Sequence, residues 1–362
     1  MASAQTPVIL RQKPTGTIFA SQALELSGLE VLRAMLERRL PDPPITRLTG
    51  LRMTDVGLGL ATMAMPASPW WQSGVGLFLA GTLAFLADGP LGGAVMTGAG
   101  PGIGMTTSEL ALDFLRPATI RSGTLIGRGH LIHSSRSQGL SEVFLEDGRG
   151  RMLGHGTSRG ILFPMDRRSL PEPPKDLEEG DGPEPYKLEV EGDVFGADYW
   201  NTKTGMEINK DAVAGYFMPP ICQFVGMRST EFDEGRAVAT IPASAWFTNG
   251  YGVMYGGALA LLADYALNCA ILTTIPAATS FSPLDLKLNF LRPVFPDGGL
   301  LTARATVTHR GRSIAVASCE ILNQAGKQVA LAGETILILP GRSWDRPVYV
   351  ADEVLAGARE PV

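Results

Sequence analysis

Hydrophobic and polar positions follow two different periods along this chain, and the switch between them occurs twice. In the second half, RAVATIPA (236–243) alternates with period two and predicts a strand. It leads into an apolar run at 253–272 that predicts a buried helix. Four more alternating runs follow: LDLKLNFLRPV, LLTARATVTH, SIAVASCEIL and KQVALAGETILIL. Breaks fall at FPDGG, RGR and NQAGK, all of hairpin-turn composition. The first half repeats the plan, with an apolar run at 75–87 and turns at RPATIRSG and EDGRG. One apolar helix followed by an antiparallel meander requires the sheet to cover the helix, so each half is an α+β unit.

The two halves are copies. MPASPWWQSGVGLFLAGTLAFLAD (65–88) lies over IPASAWFTNGYGVMYGGALALLAD (241–264) at a shift of 176 (241 minus 65), with 12 of 24 columns identical. The same shift puts LALDFLRP on LKLNFLRP, His133 on His309, Arg136 on Arg312 and Pro164 on Pro340. The copies thus span 44–164 and 220–340 without a gap. Each is preceded by a capping-box signature, Ser27-Gly-Leu-Glu30 and Thr204-Gly-Met-Glu207, ahead of a helical run. The expected organisation is a first domain at 17–164, a linker at 165–200, a second domain at 201–340 and a surface tail at 341–362. The linker is rich in Pro, Gly and acidic residues and reads as extended and solvated. The first 16 residues are expected to be mobile.

Composition narrows the classes of function. The 362 residues are 45% hydrophobic and 19% charged, the balance of a soluble globular protein. A net charge of −5 without a long basic block argues against nucleic acid as a partner. Gly, Asp or Asn interrupts the apolar runs, which argues against a membrane span. The N-terminus shows no charged stretch leading into an apolar one, and the three cysteines have no metal-like spacing. A cytoplasmic protein with reduced thiols is expected, and no metal site is expected from the four histidines.

At GYGVMYGGALALLAD (250–264) the chain resembles the hotdog fold, specifically the phenylacetate-pathway type of acyl-CoA thioesterase. That family carries an Asn, six residues later a His-Gly-Gly, and an acidic residue nine beyond the His. Asn249, Tyr255-Gly256-Gly257 and Asp264 keep these spacings, with Tyr255 in place of the His. DLKLNFLRPV (285–294) and HRGRS (309–313) match the family's wording as well. The resemblance implies two hotdog domains in tandem, each an antiparallel sheet wrapped around a central apolar helix, with the pair imitating a homodimer. It also implies an acyl-CoA substrate, no cofactor beyond the coenzyme A of that substrate, and further association into a homo-oligomer.

Thioester hydrolysis needs donors for a developing oxyanion and a base or nucleophile. A backbone N–H at a helix start supplies the first, worth roughly 3–4 kcal/mol per donor, and glycine lets a carbonyl approach it. Gly256 has this character; close helix packing is the alternative reading of Gly256-Gly257. Asp88 and Asp264 each end an apolar run, where an unpaired charge is costly; a solvent-facing helix end is the alternative, especially for Asp88 before Gly-Pro. In hotdog dimers resembling this chain each site is composite. Carried over residue by residue, site one joins Asn249, Tyr255 and Gly256 with Asp88 and Thr107. Site two joins Ser73, Leu79 and Ala80 with Asp264 and Pro283. Leu79 and Pro283 cannot take the polar roles, so Asp88 is expected to be the working carboxylate and Asp264 to belong to a degenerate site. His309, Arg310 and Arg312, with Gly257, are the expected coenzyme A contacts, and a solvated hairpin is the alternative for that turn. Arg116, Arg292, Trp70 and Trp246 read as structural. Two other functions remain open. A non-catalytic acyl-CoA-binding scaffold is compatible with Tyr255. A hotdog hydratase or dehydratase is less compatible, because no His lies in 70–100 or 245–275.

Overall fold

The computed structural model describes residues 6–168 and 170–339. The tail at 341–362, the equivalence of Pro164 with Pro340, and residues 1–5 lie outside the described residues. The first copy contains α1 (Gly28–Leu36), β1 (Arg52–Gly57), β2 (Leu60–Pro66), α2 (Ala80–Met96), β3 (Ile103–Phe114), β4 (Thr124–Ser134), β5 (Gln138–Asp147) and β6 (Met152–Pro164). The second contains α3 (Gly205–Val213), β7 (Arg228–Asp233), β8 (Arg236–Pro242), α4 (Gly256–Leu272), β9 (Ser280–Phe290), β10 (Leu300–Arg310), β11 (Ile314–Leu322) and β12 (Gln328–Leu339). Short helical turns flank these elements. Both capping boxes form, Ser27 with Glu30 and Thr204 with Glu207.

All twelve strands join one sheet, in the order β1-β2-β4-β5-β6-β3-β9-β12-β11-β10-β8-β7. The order reads the same from either end once the copies are superimposed. At the centre β3 pairs antiparallel with β9, and Ala111 faces Lys287, its own equivalent at the shift of 176. A pseudo-twofold axis therefore passes through that pair. Each half-sheet wraps its own helix, β2, β4 and β5 against α2 and β8, β10 and β11 against α4. Both helices are apolar on every side and almost wholly buried, as a helix without a polar face must be.

The helices also pack on each other across the seam between copies. A Cβ on Gly81 would lie 2.9 Å from the Leu261 Cα, and one on Gly257 would lie 2.7 Å from the Phe85 Cα. These two equivalent glycines set the close approach. α2 does not end at Asp88 as the Gly89-Pro90 pair suggested; it runs on to Met96 with Pro90 inside. The proline is accommodated because β4 presents glycines to it: a Cβ on Gly129 would meet the Pro90 carbonyl oxygen at 2.1 Å. Asp88 is consequently a buried mid-helix residue rather than an exposed helix end.

Two sequence expectations about the connecting segments are corrected. Residues 8–11 are helical, with Val8 and Ile9 buried, so this part of the N-terminus is anchored by its apolar side chains. The linker is not simply extended. Glu178–Glu179 pairs in parallel with Thr15–Gly16, and Ala197–Thr202 is helical with Trp200 buried. The repeat also reaches further back than 201. Thr17 N donates to Asp42 O and Phe19 N to Gly250 O, while Asp193 N donates to Met218 O and Phe195 N to Gly74 O, the same bonds at the shift of 176. Each copy thus sends a strap across to the loop that enters the other copy's central helix. Among the described residues no helix is long and apolar enough to cross a membrane.

Candidate active site

The first seam assembles where α2 passes the start of α4. Asp88 is 7% exposed. Its Oδ2 accepts a hydrogen bond from the Gly257 N–H at 3.1 Å and its Oδ1 accepts one from the Thr107 hydroxyl at 3.1 Å. A Cβ on Gly256 would stand 3.0 Å from Asp88 Oδ2, so a larger residue there would press on the carboxylate. Burial raises the Asp88 pKa above the ordinary carboxylate range, against the opposing pull of the Thr107 hydroxyl and the Gly257 and Gly256 amides. A carboxyl group from one copy, a hydroxyl from the strand that follows it, and the first amides of the other copy's helix are therefore in mutual contact. The positive end of the α4 dipole adds to those amides.

Tyr255 lies at the first seam beside Asp88, whereas Asn249 turns back to its own loop. Asn249 Oδ1 accepts from the backbone N–H groups of Tyr251 and Val253 at 2.9 and 3.3 Å, bracing its own loop. Among the described residues it makes no hydrogen bond to Asp88 or Tyr255. Its equivalent Ser73 braces the matching loop by donating to Leu77 O at 2.7 Å. The Tyr255 ring packs edge-on against Phe85, centroids 5.1 Å apart, and its hydroxyl is buried against the Gly89 backbone, with no side-chain partner among the described residues. Burial and the neighbouring Asp88 charge push the phenol well above its usual pKa. Tyr255 is thus a neutral wall residue and cannot serve as a base near neutral pH. Met63 also reaches Gly89, Met105 reaches Gly92, and the Phe19 ring covers Gly250, so bulky side chains wall the first seam.

The second seam differs. Asp264 is fully buried, with Asn268 Nδ2 donating to its Oδ1 at 3.1 Å. The same Asn268 amide lies 3.4 Å from Glu334 Oε1, and Glu334 is itself 1% exposed. Burial raises Asp264 to about 7, and burial together with the Asp264 charge raises Glu334 well above its usual range. Two buried carboxyls side by side favour holding a proton between them. The Gly81 amide, the counterpart of Gly257, opposes that rise at Asp264; among the described residues no side-chain donor reaches Asp264 Oδ2 or Glu334 Oε2. Asn268 and Ala80 border a cavity of ≈ 160 Å³ whose remaining wall is mainly apolar and includes Leu79, Trp200, Phe217 and Pro283. Leu79, Ala80, Ser73 and Pro283, predicted to meet at this seam, do meet there.

The basic turn belongs with the second seam. Arg310 Nε donates to Thr274 Oγ1 at 3.2 Å, just beyond the C-terminal end of α4. Gly256 lies at the other end of that helix, about 24 Å away at 1.5 Å per residue. Arg310 also bonds the Gly311 carbonyl, and His309 and Arg312 are exposed. The turn is therefore not adjacent to Asp88. Arg116 and Arg292 bond the carbonyls of Met152 and Gln328, equivalent partners, as structural residues do. Trp70 and Trp246 are wholly buried. Sequence reasoning missed Glu334 and Asn268, whose first-copy equivalents are Ser158 and Gly92. The period-two pattern of β12 held the signal, since it places Glu334 on the inward face with Ile336 and Ile338.

Comparison with known proteins agrees with this architecture. Residues 251–330 match the model of the thioesterase superfamily. Acyl-coenzyme A thioesterase PaaI of Escherichia coli is 36% identical over 126 residues, 34% of this chain and 84% of that protein. A 1,4-dihydroxy-2-naphthoyl-CoA hydrolase of Listeria monocytogenes is 25% identical over 118 residues, 32% of this chain and 91% of that protein. The solved tesB protein of Mycobacterium avium subspecies paratuberculosis covers 86% of this chain and 100% of its own, with a TM-score of 0.50 at 13% identity, a likeness of fold. With two copies of the unit in one sheet and a PaaI-like sequence in the matched region, the chain belongs to the thioesterase superfamily as a tandem hotdog thioester hydrolase of the PaaI-like type.

Proposed function

We propose that the protein hydrolyses acyl-CoA thioesters at the first seam, a site composed from both copies. The observation that carries this reading is the cross-seam contact of Asp88 with the Gly257 amide, completed by Thr107. In the resting site the carboxylate occupies the amides that an oxyanion needs. An arriving thioester carbonyl takes over the Gly256 and Gly257 donors, and Asp88 turns to a water molecule. The water oxygen attacks the carbonyl carbon while its proton passes to Asp88, a base whose raised pKa brings it nearer to neutrality. The tetrahedral oxyanion is held by the helix amides. Its collapse breaks the C–S bond, and the departing thiolate takes the proton from Asp88, leaving a carboxylic acid and free coenzyme A. Thr107 keeps the Asp88 side chain oriented through the cycle.

Release of free thiol from a panel of acyl- and aryl-CoA thioesters tests this directly. Asp88→Asn is expected to lower kcat by about 10²–10⁴-fold, the usual contribution of general-base catalysis, while Asp264→Asn stays within a few-fold of the parent. The reverse ranking refutes the site assignment, and binding without thiol release from any substrate supports a scaffold. Direct water attack also predicts no solvent-derived oxygen label in Asp88 after a single turnover; label there indicates an anhydride intermediate.

A further inference from the structure

At the second seam Pro283 replaces the Thr107 hydroxyl and Asp264 is tied to Asn268, yet a cavity remains, and these facts together point to a use. The ≈ 160 Å³ space lies between the Ser73–Ala80 loop and the second half of α4, with Ala212 of α3 in its wall. A cavity of about 150 Å³ with apolar walls accepts a benzene-sized guest. Asp264 does not line this space: it is fully buried behind Ala80 and Asn268, tied to Asn268. Pro283 stands where the first seam has the Thr107 hydroxyl, and Leu79 where it has Tyr255. The room is present without a base that can reach it.

Charge marks the same side of the molecule. The wall helix α4 contributes Asn268, Cys269 and Leu272 to the cavity, and Arg310 is held against Thr274 two residues further on. Arg312 and His309 are exposed on that turn. The equivalent turn by the first seam offers His133 and Arg136 but has serines at the two positions between them. An apolar chamber followed by a guanidinium pair along one helix suits an apolar acyl group joined to an anionic nucleotide.

We propose that the second seam is a non-hydrolytic binding site for a CoA thioester, distinct from the catalytic seam, and that it takes a compact acyl group no larger than about a benzene ring. This rests on the acyl-CoA thioesterase reading given above, because the ligand class is the enzyme's own.

Trp200 lines the cavity, which gives a readout other than activity. The full chain carrying Asp88→Asn is titrated with benzoyl-CoA, and the fluorescence change is compared with the same chain also carrying Trp200→Phe. A saturable change that disappears with Trp200→Phe is expected. Ala212→Phe, which places a ring in the cavity, should weaken it by about tenfold or more, and palmitoyl-CoA or coenzyme A alone should bind about tenfold less well. As a second measurement on the Asp88→Asn chain without the tryptophan substitution, benzoyl-CoA should slow alkylation of Cys269, which lines the cavity, and leave Cys222 and Cys319 unaffected. The proposal is overturned if the parent chain hydrolyses thioesters while saturating benzoyl-CoA changes neither Trp200 emission nor Cys269 alkylation of the Asp88→Asn chain. It is equally overturned if coenzyme A alone reproduces the full effect. A parent chain that hydrolyses no thioester at all refutes the thioesterase reading instead, whatever the cavity binds.

Discussion

Replacing Asp264 by Asn should change the pH dependence of stability more than it changes catalysis. Asp264 is fully buried, and burial moves its carboxyl from 3.8 to about 7. A carboxyl whose pKa is higher in the folded state favours folding below the unfolded value, and that contribution is lost as pH rises through the folded value. At about 1.4 kcal/mol per unit, the loss between pH 4 and pH 8 is on the order of 4 kcal/mol. An amide has no proton to lose, can still accept from Asn268 Nδ2, and can donate toward Glu334 in place of the shared proton. The Asp264→Asn chain should therefore gain stability on the parent by several kcal/mol as pH is raised from 4 to 8. Urea unfolding of both chains at pH 4.5, 6 and 8, followed by circular dichroism, measures the difference. If the two stability curves run parallel across that range, Asp264 does not titrate between folded and unfolded states as argued, and the shared-proton account of Asp264 and Glu334 fails.

Two further perturbations test the seam itself. Gly257→Ala should destabilise the protein by about 1–3 kcal/mol through overpacking against Phe85, although alanine favours helix by up to about 1 kcal/mol; a raised thermal midpoint would contradict the close helix approach. Thr107→Val removes the hydroxyl that Asp88 accepts from at 3.1 Å, so the acidic limb of the pH–rate profile should move to higher pH as the carboxylate loses a stabilising donor, with an unmoved limb counting against that bond.

The extent to which the site was legible in sequence differs residue by residue. Asp88, Thr107 and Gly256 share a seam as the internal alignment of the repeat and the cross-copy pairing of the resemblance implied, whereas Gly257, expected among the coenzyme A contacts, donates to Asp88 instead. For Asn249 and Tyr255 a spacing fixes where the residue sits along the chain but not what its side chain meets. Asn249 turns back to its own loop amides, and Tyr255 turns into the apolar seam. The basic turn could not be given to a seam from sequence: α4 links both seams, and only its length and direction decide which end Arg310 joins.

The sequence by itself determined the duplication, the helix-plus-meander unit and the pairing of the copies into one fold. These follow from periodicity and chain connectivity, which are local and repeat with the residues. Tertiary structure decided that Pro90 continues a helix, that the straps cross between copies, and that a cavity borders the second seam. Those outcomes depend on volumes and hydrogen bonds between segments far apart in the chain, such as Gly129 against Pro90 or Asn268 against Glu334. Burial then set the protonation of Asp88, Asp264 and Glu334, because the cost of a charge depends on what surrounds it and not on its neighbours in sequence.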